Sequence, residues 1–316
     1  MLREYYKAAR EGAALVEKDW NGVVRLNGTE RVSWLQGMVT NDVQRLASGM
    51  GCYAGHLNPQ GRMVAQMVIL RDDESLWLVL ERTALGRLVS AFDKLLIMED
   101  VQVTDASNEL EILGLIGPTA QSVLESWLGE PLNLEGAYAH RRIKDYRVVV
   151  TELGYDVWVP REQTDTTLRA LADSGATAID HGTWDVLRTE AGLPVFGVDI
   201  DESTTMPELG ERGISYDKGC YIGQEVVAKV KYIGHVNRRF VGLIGEGSEL
   251  PQTRSAIRKG GKDTGYVTTS LFSPGLNKPI ALGFVGRAAA EPGTRVEIVS
   301  EEKVMLAVTS DLPFQF

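Results

Sequence analysis

The chain has 316 residues, a mass of 34.7 kDa, 44% apolar and 24% charged residues, and a formal charge of −10. That is a globular composition of two or three domains, which excludes wholesale disorder, and its acidic balance excludes a general nucleic-acid coat. No run of about 18 apolar residues marks a membrane span, and the charged stretch from Met1 to Trp20 is unlike an export signal, so a cytoplasmic protein is expected.

Residues 5–20 read as a surface-packed helix. A strand, Gly22 to Leu26, precedes the turn Asn27-Gly28, and Val32, Leu35 and Val39 give a short helix over 31–39. Gly49, Gly51, Gly55 and Pro59-Gln60-Gly61 read as turns. Met63 to Leu70 and Leu76 to Leu80 read as a hairpin. Leu85, Leu88, Val89, Phe92, Leu95 and Leu96 then share one face of a helix, with Thr83 as its expected cap. Leu110 to Ile116 is the next strand, followed by a helix opened by Pro118 and closed by Gly129.

The order strand, strand, helix, strand, helix then recurs over residues 147–191, ending at Gly192-Leu193-Pro194. Two α+β modules of ferredoxin-like type are therefore expected. After Gly234 helical periodicity stops. Short strands over 239–244, 265–269, 280–286, 295–299 and 304–309 suggest a small β-barrel, with a boundary near residue 240.

The densest chemical feature is Lys218-Gly219-Cys220-Tyr221-Ile222-Gly223-Gln224-Glu225. The glycines allow close backbone approach to a ligand, and Lys218 would favour a Cys220 thiolate if the two side chains met. The plain alternative is a turn entering a helix, with Cys220 as a small buried hydrophobe. A second feature is Arg188-Thr189-Glu190-Ala191-Gly192, followed by Gly197-Val198-Asp199-Ile200-Asp201-Glu202. Glu190 falls at a helix end where the macrodipole disfavours negative charge. It suits either an ion pair with Arg188 or a guanidine-like N–H edge such as that of a pterin.

Cys52 and Cys220, the only cysteines, cannot form a four-cysteine metal site, and the scattered histidines give no zinc motif. No metal is expected. The acidic run 199–202 lacks calcium-loop spacing, and neither a Walker loop nor a Gly-x-Ser-x-Gly elbow is present. Basic residues gather at Lys229, Lys231, Arg238 and Arg239, and at Arg254, Arg258, Lys259 and Lys262. They read either as a solvated face or as an electropositive rim for an anion.

The motif over 218–225 resembles the diagnostic motif of the YgfZ family, folate-binding proteins of the glycine-cleavage T-protein (aminomethyltransferase) superfamily. Trp34 to Val43, Leu57 to Arg62, Arg188 to Gly192, Val267 to Pro274 and Ile280 to Gly283 resemble further segments of that superfamily. The resemblance implies two α/β modules around a central folate site, plus a C-terminal barrel. It divides the chain into a split folate-binding domain (1–50 and 136–240), an inserted domain (51–135) and a barrel (241–316). It implies tetrahydrofolate or a one-carbon derivative as cofactor. Glu190, Arg188, Asp42, Gly223 and Gln224 would bind it, and Cys220, with Lys218 and Tyr221, would be the reactive group.

One departure bears on activity. The aspartate that the superfamily uses in aminomethyl transfer is matched by Ala65, with Gln66 beside it, and Glu81 stands near a usual asparagine. Two functions are therefore expected as alternatives. One is a folate-binding factor supporting assembly or repair of iron–sulfur enzymes, and through them tRNA modification, with those enzymes as partners. The other is a folate-dependent aminomethyl or methyl transferase with Asp42 or Glu81 as acid or base. Direct nucleic-acid or membrane binding is not expected in either.

Overall fold

The computed structural model describes residues 2–300 and 303–316. The chain divides into two compact units, residues 1–183 with 212–224, and residues 184–211 with 225–316.

The first unit opens with helix α1 (Leu2–Glu11), strands β1 (Ala14–Glu17) and β2 (Asn21–Asn27), and helix α2 (Arg31–Met38). Strands β3 (Met50–Leu57), β4 (Met63–Arg71) and β5 (Leu76–Glu81), helix α3 (Arg82–Leu95), and strands β6 (Gln102–Asp105) and β7 (Leu110–Ile116) follow. Helix α4 (Ala120–Leu128), strands β8 (His140–Ile143), β9 (Tyr146–Val150) and β10 (Gly154–Pro160), helix α5 (Thr164–Asp173) and strand β11 (Thr177–Ala178) complete it.

Two sheets result, one in the order β11-β1-β7-β10-β9-β8 and one in the order β3-β4-β5-β2-β6. Val23, Leu70, Trp77 and Val79 of the five-stranded sheet pack with Ile112, Val149 and Trp158 of the six-stranded one in a shared apolar layer. The other face of the six-stranded sheet is covered by Val123, Leu124, Leu128 and Leu171 of α4 and α5. The five-stranded sheet takes its strands from residues 21–105 and the six-stranded sheet from 14–17 and 110–178. The chain thus crosses between sheets near residues 18–20 and 106–109.

In the second unit, helices α6 (His181–Glu190) and α7 (Gln224–Tyr232), both beginning at the unit boundaries, accompany six strands. These are β12 (Arg238–Gly245), β13 (Ala256–Lys259), β14 (Lys262–Ser273), β15 (Lys278–Gly286), β16 (Arg295–Val299) and β17 (Val304–Ser310). They close into a barrel, β12-β15-β14-β13-β16-β17, filled by Leu243, Ile257, Val267, Val285 and Ile298. The α+β class with a small C-terminal barrel is therefore as the sequence indicates.

Several local expectations need correction. The helix expected over 5–20 ends at Glu11, and Ala14 to Val16 form β1. Those residues are at most 4% exposed, and β1 lies between β7 and β11 with Leu15 in the core of the sheet. The glycines of 49–55 belong to strand β3 as well as to turns. A Cβ on Gly51 would lie 2.6 Å from the Ile69 carbonyl oxygen and 2.9 Å from the Tyr138 Cβ, so glycine there permits close strand packing. Thr83 lies inside α3, and the cap position is Glu81, without a side-chain capping bond. At α4, Gly129 takes the expected left-handed closing conformation, φ 77°.

Candidate functional site

The motif loop of 218–224 is fastened within the first unit to the end of α2 and the turn after β3. The Lys218 ammonium donates to the carbonyl oxygens of Gln36 and Val39, both at 2.6 Å, and of Asn41 at 2.8 Å. Two of these carbonyls sit at the end of α2, where the macrodipole attracts a cation. The Ile222 N–H donates to the Gly37 carbonyl at 3.1 Å. Gly223, at φ 81°, runs so close to the turn after β3 that a Cβ would lie 2.6 Å from the Asn58 carbonyl oxygen. The Tyr221 N–H donates to Gln224 Oε1 at 3.2 Å. Gly223 and Gln224 therefore shape the loop through local contacts.

This arrangement changes the expected partnership of Lys218. Its three donors point to main-chain oxygens, while Cys220 is exposed. Burial lowers the Lys218 ammonium to about 8, against the opposing field of Asp42 and Cys52. The thiol that feels Lys218 is thus Cys52 on β3. Burial pushes that thiol up to about 12, with Lys218 acting in the opposite direction. Tyr221 lies 5.0 Å beneath the ammonium, and burial raises its phenol to about 12. Asp42 is a turn residue whose Oδ1 accepts the N–H groups of Gln44 at 3.1 Å and Arg45 at 3.2 Å and the Gln36 amide at 3.1 Å.

A second polar cluster lies on the face of the five-stranded sheet away from α2 and α3. Ala65 pairs with His56, whose ring packs on Phe92 of α3 at 5.2 Å and whose Nδ1 lies 2.7 Å from the Met38 carbonyl oxygen. Side chains alternate along a strand, so Gln66 projects to the opposite face from Ala65. There the Gln66 amide donates to Glu81 Oε1 at 2.7 Å, and the Tyr53 hydroxyl donates to Gln66 Oε1 at 2.5 Å. Burial raises the Tyr53 phenol well above its usual range. The Arg212 guanidinium lies 4.8 Å over the Tyr53 ring, reaches the Tyr138 hydroxyl at 2.5 Å and pairs with Glu152. Tyr138 itself holds a left-handed backbone, φ 59°, a strained conformation for a bulky residue.

Tyr53, Gln66, Tyr138, Glu152 and Arg212 form a cluster that the spacing of neighbouring residues does not announce. The one legible signal is Gln66, a lone polar residue in the run Met63 to Leu70 and only 6% exposed.

In the second unit Arg188 is only 2% exposed and its donors are engaged within the protein. Its Nε donates to Asp185 at 2.5 Å, its Nη1 to Asp199 at 2.8 Å and to the Leu193 carbonyl at 3.1 Å, and its Nη2 to Thr269 at 3.3 Å. Asp199 also accepts the hydroxyls of Thr268 and Thr269, both at 2.7 Å. Arg188 thus ties the 193–200 segment to β14. Glu190 is 1% exposed and accepts the Ser273 hydroxyl. A carboxylate is the type of acceptor that a planar N–H edge pairs with. Among the described residues no group of His, Cys, Asp or Glu has the geometry of a metal site, and no helix is long and apolar enough to cross a membrane.

Comparison with known proteins places this framework. The GCVT N-terminal domain family matches residues 1–215, and the glycine cleavage T-protein C-terminal barrel domain matches residues 238–315. The chain belongs to the glycine cleavage T-protein family. Curated relatives named aminomethyltransferase include one from Nostoc sp., 28% identical over 98% of this chain and 86% of that protein. Another, from Halalkalibacterium halodurans, is 27% identical over 99% of this chain and 89% of that protein. Among solved structures, the glycine cleavage system aminomethyltransferase T of Bartonella henselae shares the fold. Its TM-score is 0.92 at 22% identity, over 99% of this chain and 89% of that one.

Proposed function

We propose that the protein binds tetrahydrofolate or a one-carbon derivative and acts as a folate-dependent aminomethyl or methyl transferase of the T-protein type. The observation that supports this most is the family match, whose two domains follow in order along a chain aligned almost end to end with proteins named aminomethyltransferase. When bound, the folate supplies the nitrogen that carries the one-carbon unit. Glu190 would accept the pterin's amino edge, and Glu81, oriented by Gln66, would be the acid or base. Calorimetry with tetrahydrofolate and its 5-formyl derivative tests the binding. Micromolar affinity that Glu190→Ala weakens supports the reading, and no binding by the wild type removes it. Turnover with the aminomethylated carrier protein of glycine cleavage tests the transfer.

One observation favours a second reading. Ala65 faces the α2–α3 side, and Gln66, which carries the opposite face, is neither acid nor base. A folate-binding factor of YgfZ type, supporting iron–sulfur enzymes through Cys220, would need no such group. Loss of complementation by Cys220→Ser, with folate affinity and fold retained, would favour this reading over transfer.

A further inference from the structure

The four most exposed large apolar side chains among the described residues fall into two adjacent pairs. Ile97 and Met98 are 83% and 91% exposed; Tyr232 and Ile233 are 69% and 83% exposed. Single exposed apolar residues are ordinary, but neighbouring pairs at such exposure are a mark of an interaction surface.

The two pairs have opposite electrostatic settings. Ile97 and Met98 form the tip of the connection after α3, and carboxylates shape that tip. Glu99 Oε2 accepts the N–H groups of Ile97 at 3.0 Å and Met98 at 3.1 Å. Asp100 Oδ2 accepts the Thr29 N–H at 2.9 Å and hydroxyl at 2.7 Å, and Glu30 Oε2 accepts the Asp100 N–H at 2.7 Å. These donors, led by Ile97 N–H for Glu99 and Thr29 N–H for Asp100, hold both carboxyls below the usual range, so the tip stays anionic. The same bonds preorganise the apolar pair, which lowers the entropy lost on docking.

Tyr232 and Ile233 close α7 in the second unit. The Ile233 and Gly234 N–H groups both donate to the Lys229 carbonyl, at 3.1 and 2.8 Å. Lys229 and Lys231 fill the last turn of α7, and Arg239 is exposed at the start of β12. Glu211 pairs with Lys231. The last turn of α7 next to the apolar pair therefore carries basic side chains, with Lys229 and Lys231 before it and the helix's Glu225 one turn further back.

We propose that the Ile97–Met98 tip of one molecule docks on the Tyr232–Ile233 patch of a second copy of this chain. An apolar centre with a charged rim of opposite sign on each partner is the anatomy of a specific protein interface. The contact is head-to-tail, so each molecule keeps one unused tip or one unused patch unless the assembly closes.

Sedimentation velocity on the full chain tests this. The wild type should self-associate at micromolar concentration in low salt and dissociate in about 1 M salt, where the Debye length is only about 3 Å. Met98→Arg and Ile233→Glu alter exposed side chains and should each give a monomer. An equimolar mixture of the two variants should form a dimer, since one retains the patch and the other the tip. A monomeric wild type in low salt, self-association of either variant alone, or a mixture that stays monomeric would each overturn the proposal.

Discussion

The Gln66 amide and the Glu81 carboxylate meet at 2.7 Å across the neighbouring strands β4 and β5. Gln66 also accepts the Tyr53 hydroxyl, so one amide orients a carboxylate and a phenol on the same sheet face. Gln66→Leu removes both bonds in a site where Gln66 is only 6% exposed. We expect a stability loss of about 1–3 kcal/mol in urea unfolding. Glu81→Gln retains the size of the side chain and removes its charge. It should lower one-carbon transfer much more than folate affinity, as measured by turnover and calorimetry in parallel.

Lys218 is a structural cation in this geometry. Lys218→Met leaves three main-chain carbonyls without their charged donor. The expected cost is about 2–4 kcal/mol, since bonds to a charged group are worth roughly 1.5–3 kcal/mol each and are not additive. Hydrogen exchange should quicken at residues 36–42 and 218–224 together. Protection unchanged in the first segment would show that the ammonium does not hold it.

Gly223→Ala should destabilise the protein by about 2 kcal/mol or more. Its backbone is left-handed, and the added carbon would meet the main-chain Asn58 oxygen at 2.6 Å, which no rotamer change relieves. Thermal unfolding of this variant beside Gly219→Ala, where a Cβ meets nothing within 4 Å, separates the close approach from a general loss of glycine.

Asp199→Ala breaks a buried pair, because Arg188 is 2% exposed and Asp199 3%. Removing one partner of such a pair costs roughly 3–5 kcal/mol. Replacing both members with apolar residues should recover part of that loss in a double-mutant comparison.

His140 gives a pH dependence with a defined sign. Burial and then the neighbouring Arg147 lower its ring from 6.5 to about 4, with Asp72 opposing. Arg147 donates to His140 Nδ1 at 2.9 Å while pairing with Asp72 and lying over the rings of Trp77 and Trp158. Between these two values the unfolded chain binds the proton more tightly. Stability should therefore fall as the solution is acidified from about pH 6.5 towards pH 4, with a limiting slope of roughly 1.4 kcal/mol per pH unit. His140→Gln should flatten the slope of unfolding free energy against pH in that window. An unchanged slope would remove His140 as its source.

The sequence by itself determined the class of fold and the motif that announces it. Helical periodicity over Leu85 to Leu96, strand runs such as Met63 to Leu70 and the barrel spacing after Gly234 arise from local burial patterns, which a single sequence displays. It also located the 218–225 motif and the buried Glu190. The tertiary structure alone decided what those residues touch. Lys218 meets carbonyls about 180 residues away in the chain and leaves Cys220 exposed. Arg188 is bound by Asp199 and Thr269, and Gln66 meets Glu81 and Tyr53. The packing of segments far apart in the chain sets these partnerships, and the spacing of neighbouring residues does not say which distant segments will meet.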